Sequence, residues 1–84
     1  MTRTEVLTKA SERVSERSEK YGKPESNLNR IASLWGAYLD ENIGAEDVAA
    51  MMILLKVARL TGGYDQPDTW VDIAGYAACG GEVV

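Results

Sequence analysis

The chain has 84 residues, 13 acidic and 9 basic, with a net charge of −4, one cysteine and no histidine. Without histidine a zinc site or a His-based triad is excluded, and Cys79 has no partner for an internal disulfide. The acidic balance argues against stable DNA binding, which needs clustered Lys and Arg to displace counterions.

A single domain over residues 1–84 is expected, and its stability is marginal unless something else contributes. Self-association is the common remaining route. The opening MTRTEVLTKASERV lacks the apolar centre of a signal peptide, and the apolar run Val48–Leu55 is too short to span a bilayer. A cytosolic location, with no membrane partner, is the expectation.

The first helix is predicted from about Thr4 to Tyr21. Val6, Leu7, Ala10, Val14 and Tyr21 fall on one stripe at helical periodicity. Glu5/Lys9 and Glu16/Lys20 form i,i+4 pairs on the solvated side. Gly22 suits a C-terminal cap and Pro24 blocks continuation. A second helix is predicted from a Ser26 N-cap to Leu39. Its apolar face carries Leu28, Ile31, Leu34, Trp35, Tyr38 and Leu39.

The third helix follows Asn42-Ile43-Gly44, with Glu46 and Asp47 in the first turn, where the helix dipole favours acids. From Val48 to Leu60 it is apolar nearly all round. A helix of that kind is buried on more than one side. Three other short helices scarcely cover it, which implies an oligomer interface. The segment Thr61–Pro67 reads as a loop. The fourth helix begins with Asp68 as N-cap, packs through Trp70, Val71, Ile73, Ala74, Ala77 and Ala78, and ends at Gly80-Gly81. The expected fold is therefore all-α, a compact, oligomeric bundle of about four helices, centred on the third and fourth.

The informative residues are charges on faces that should be buried. Arg17 lies within the apolar stripe of the first helix. Lys56 and Arg59 interrupt the third. Asp68, Asp72, Gly75 and Cys79 share one stripe of the fourth, and Gly75 lets another helix or a ligand approach. These cations and carboxylates either pair as a structural network or wall an anion pocket. In the pocket reading Arg17, Lys56 and Arg59 hold phosphates. Trp35, Trp70, Tyr21, Tyr64 or Tyr76 then offers a stacking surface for a base. The full candidate set is Arg17, Tyr21, Lys23, Lys56, Arg59, Tyr64, Trp70, Asp72 and Tyr76. Asp68 and Asp72, one turn apart, are the alternative pair of magnesium ligands. Cys79 has no base to activate it and reads as structural.

The segments RSEKYGKP (17–24), Asn27, Arg30-Ile31-Ala32 and Trp35, MMILLKVARL (51–60) and DTWVDIAGYAA (68–78) together resemble a small phage and prophage protein family of unknown function. That family is more distantly similar to phage nucleotide-modification-associated proteins. The pattern Asp72-Ile73-Ala74-Gly75-Tyr76 is also similar to the last helix of the MazG-like all-α NTP pyrophosphohydrolases. Those enzymes carry an E-x-x-E pair on an earlier helix, where this chain has Met51, Met52, Leu54 and Leu55. Inward cations, an interface-grade third helix and a phage-type sequence without the acidic pair together point to a phage-encoded homo-oligomer that sequesters a small phosphate-bearing molecule, such as an immune signal, without catalytic residues or a cofactor. The alternatives are a magnesium-dependent pyrophosphohydrolase or a protein-interaction module.

Overall fold

A computed structural model describes residues 1–62 and 67–84. The described residues form four α-helices in the order α1 (Arg3–Tyr21), α2 (Pro24–Leu39), α3 (Ala45–Leu60) and α4 (Pro67–Val83), with no strand among them. The all-α expectation holds.

Local chemistry explains most of the helix ends. Thr2 caps α1 through a capping box. The Glu5 N–H donates to Thr2 Oγ1 at 3.1 Å, and the Thr2 N–H donates to Glu5 Oε1 at 3.3 Å. The backbone hydrogen bond from Thr2 holds the Glu5 carboxyl below its ordinary range. The N-cap of α2 is Lys23, not Ser26, because Pro24 occupies the first helical position. Proline fits there since its missing N–H would have had no partner. Asp40 ends α2 in the left-handed region at φ 53°. At α3 the Asp47 carboxylate accepts the Gly44 N–H at 2.8 Å, so this acid is a cap as well as a dipole partner.

Two expectations for α4 are corrected. Asp68 does not precede the helix, since Pro67 is already helical. The helix also continues through Gly80-Gly81 to Val83. Packing explains the continuation. A Cβ at Gly80 would sit 3.2 Å from the Ala49 Cβ of α3, so glycine lets the two helices approach closely. Gly75 is the opposite case. A Cβ there would lie 3.6 Å from Val14 Cγ2, an ordinary contact. Gly75→Ala should therefore gain about 0.5–1 kcal/mol from helix propensity. Urea denaturation checks the sign: a loss would mean that the α1–α4 spacing depends on glycine.

The core is thin. Leu28 and Ala32 of α2 meet Val48 and Ala49 of α3, with Ile31, Trp35, Met52 and Cys79 packed around them. Val48 and Val71 are the largest fully buried side chains. The most extensive packing joins α3 to α4, followed by α1 to α4 and α2 to α3. The expectation that these two helices make the centre is met for the inner side of α3. The expectation that α3 is buried on more than one side is not met within one chain. Met51, Leu54, Leu55 and Val57 remain exposed. Two neighbouring helices cover only one side of a third, and α1 packs mainly on α4 instead.

Candidate functional site: an ion-pair cluster beside an open cleft

Arg13 projects from α1 towards the first turns of α4. Its Nη2 donates to Asp68 Oδ1 at 2.9 Å and its Nη1 to Asp72 Oδ1 at 3.1 Å. The other oxygen of Asp72 accepts Lys56 Nζ of α3 at 3.2 Å. One carboxylate thus ties three helices. The hydrogen bond that Arg13 donates to Asp68, ahead of the one it donates to Asp72, holds its guanidinium protonated above its ordinary range. Sequence periodicity had selected Asp72, Asp68 and Lys56, and they do converge. Arg13 was missed, because it lies one helical turn before Arg17 on the edge of the apolar stripe. Its i,i+4 relation to Arg17, opposite the Asp68/Asp72 spacing, was the available signal.

The same carboxylates do not suit magnesium. Asp72 is engaged by two cations and Asp68 by one, so a metal would have to displace them. No group of three His, Cys, Asp or Glu side chains among the described residues is arranged to hold a metal ion. The two-acid pair alone supplies too few protein ligands without a bound phosphate.

Beside this cluster lies a cleft of about 400 Å³ between α1 and α4, closed at one end by the start of α2. Arg13, Val14, Glu16, Arg17, Ser18 and Tyr21 form one wall. Val71, Asp72, Gly75, Tyr76 and Cys79 form the other, and Gly22, Pro24, Asn27 and Leu28 close the end. Its size is that of a small-molecule site.

Arg17 is exposed at this cleft rather than buried in a core. The wheel placed it on the packing stripe correctly. The stripe simply runs past the last covered residue, so position 17 faces a gap between helices. Its guanidinium stands 5.5 Å from the Tyr21 ring centroid and makes no ion pair among the described residues. Lys20 approaches the same ring at 5.5 Å. Tyr21 and Tyr76 therefore stand at the cleft with Arg17.

The other candidates are elsewhere. Lys56 belongs to the ion-pair cluster, with a side chain only 13% exposed. Arg59 is exposed and does not line the cleft, so Arg17, Lys56 and Arg59 do not converge. Lys23 caps α2 without lining the cleft. Trp35 packs against the core and Trp70 is exposed outside the cleft. Tyr64 lies outside the described residues. Gly22, Ser18 and Asn27 were not foreseen, since nothing in a helical wheel reports how two helix ends meet.

Cys79 lines the cleft and is half-buried. Burial pushes its thiol up, helped by Glu82 and opposed by Arg17. At pH 7–8 it should react with iodoacetamide more slowly than a free cysteine, because the thiolate is the nucleophile. The rate should recover only above the ordinary thiol range, and Arg17→Ala should slow it further. A labelling profile against pH checks both; a rate at pH 7 above that of free cysteine would contradict this account.

Fold and cleft together define a small all-helical protein with a ligand-sized opening beside an ion-pair cluster. The chain belongs to the DUF6378 family, a domain of unknown function whose model matches residues 5–84. It is 53% identical over 75 residues to the Gene 55 protein of Mycobacterium phage L5, covering 86% of this chain and 47% of that protein. It is 45% identical over 64 residues to the Gene 55 protein of Mycobacterium phage D29, covering 76% of this chain and 42% of that one. The chain therefore spans a little under half the length of both relatives. No solved structure matches it. The expected phage family of unknown function is found, and no activity comes with it. No described helix is long and apolar enough to cross a membrane.

Proposed function

We propose that the chain binds a small phosphate-bearing molecule of the nucleotide class in the α1–α4 cleft and sequesters it without cleavage. The observation that carries this reading is Arg17. It is a cation without an ion-pair partner among the described residues, held at a ligand-sized cleft against an aromatic ring. A guanidinium offers bidentate donors to phosphate, and Tyr21 and Tyr76 offer faces to a base. Asp72 contributes little repulsion to an anion, because Arg13 and Lys56 neutralise it. Sequestration rather than hydrolysis is favoured because Asp68 and Asp72 of α4 are both committed to cations. The setting for this function is the host cytosol, as an anti-defence or nucleotide-scavenging protein of a phage, and the working form is a homo-oligomer.

The test is calorimetry with a panel of nucleoside mono-, di- and triphosphates and cyclic nucleotides. Binding of one class in the micromolar range is expected, with no product by chromatography in the presence of magnesium. Absence of binding across the panel at high micromolar concentration overturns the reading. Magnesium-dependent release of pyrophosphate or a monophosphate would replace sequestration with hydrolysis.

A further inference from the structure

The outer face of α3 has no function in the cleft. Between Val48 and Ala58 the single charged residue is Lys56, and it turns inward to Asp72. The solvent side of α3 therefore carries no charge for about three turns. Ala50, Met51, Leu54, Val57 and Ala58 are all exposed there, and their spacing places them on one stripe. Leu54, in the middle, is 65% exposed. The charge at the ends of the stripe is one-sided: Glu46 and Asp47 flank it in the first turn, whereas Arg59 falls about 140° from its centre, off the face. Arg59 forms no ion pair among the described residues.

The accessible surface points the same way. The chain exposes 6025 Å² at 9.2 kDa. A folded monomer of that mass exposes about 4,900 Å². The excess is roughly 1,100 Å², while a standard interface hides about 800 Å² on each partner.

From this geometry we infer that the outer face of α3 pairs with the same face of a second copy, antiparallel, about a two-fold axis close to Leu54. The inference rests on the homo-oligomer reading above and adds the surface and its orientation. A second copy fits because the surplus is close to what one partner of a standard interface hides, and an uncharged stripe meets its own copy without stranding a charge. Antiparallel pairing separates the two acidic first turns and opposes the helix dipoles. Parallel pairing would set the acidic first turns of the two copies, each with Glu46 and Asp47, side by side. Symmetric dimers require this kind of self-matching patch.

Sedimentation equilibrium of the full chain tests the proposal. The wild type should be dimeric at tens of micromolar, and Leu54→Asp should raise the dissociation constant by about a hundredfold or more, since it would bury an unpaired carboxylate. Leu54 is exposed in one chain, so the variant should keep its helical circular dichroism. Orientation is read in a Cys79→Ser background. Ala50→Cys chains mixed with Ala58→Cys chains should form a mixed disulfide dimer, whereas Ala58→Cys alone should not self-link. A monomeric wild type overturns both this face and the homo-oligomer reading, and leaves the stripe to a different protein. An oligomer that survives Leu54→Asp overturns the face alone. Self-linking of Ala58→Cys overturns the antiparallel arrangement.

Discussion

Asp72→Ala lowers the unfolding free energy by about 2–4 kcal/mol, the largest effect expected of any polar substitution in the chain. The reason is what it leaves behind. Lys56 is nearly covered and loses its ion-pair partner, and Arg13 keeps only Asp68. A stranded ammonium is costly because water can reach it only partly. Asp72 is itself 30% exposed, which places the loss below that of a fully enclosed pair. Asp68→Ala should cost less than about 1 kcal/mol, since Asp68 is 71% exposed and its pairing is screened. Replacing both partners, as Lys56→Met with Asp72→Leu, should recover much of the loss, because no charge is then left stranded. Urea denaturation at one fixed protein concentration measures all three, since self-association shifts apparent stability. Equal losses for Asp72→Ala and Asp68→Ala would mean that the three-helix tie is not what holds α1, α3 and α4 together.

Arg17→Glu weakens nucleotide binding by about a hundredfold, with Arg17→Ala nearer tenfold. Arg17→Lys should fall between wild type and alanine, because a point charge cannot reproduce the bidentate fork. Stability should hardly change, since Arg17 is exposed and its ring contact with Tyr21 contributes about 0.5–1 kcal/mol at such a site. Arg59→Ala should leave binding unaltered, although sequence periodicity grouped it with Arg17. Calorimetry on the four variants separates these outcomes. Equal losses for Arg17→Ala and Arg59→Ala would move the site away from the α1–α4 cleft.

The pair Arg17 and Arg59 shows where sequence reading works and where it stops. Both were selected because a wheel placed them among apolar neighbours. A wheel reports direction about one helix axis. It does not report whether another helix arrives there. At Arg17 a cleft opens between α1 and α4, so the residue lines a ligand-sized space. At Arg59 the helix end is exposed. Lys56 was read correctly as inward because Met52, Ile53 and Leu60, one turn away along the helix, share its partly buried face. Arg13 was overlooked because its partners lie 55 and 59 residues away, on α4.

The glycines teach the same lesson. Gly80-Gly81 carries the local signature of a helix end, and Gly75 that of a close approach. In the structure α4 runs on through Gly80, where the tight spacing to α3 occurs, while Gly75 meets α1 at ordinary contact distance and lines the cleft.

Apolar periodicity, caps and breakers alone determined four helices, the all-α class and the surplus of apolar surface on α3. Those properties depend on neighbours within a few residues or on totals that no folding can alter. Tertiary structure decided that Asp72 is a tie between three helices, that Arg17 opens onto a cleft and Arg59 does not, and which side of α3 is left bare. Each of those depends on where helices distant in sequence cross, and the crossing points are set by the packing of residues such as Gly80, Ala49 and Val48, not by the charges themselves.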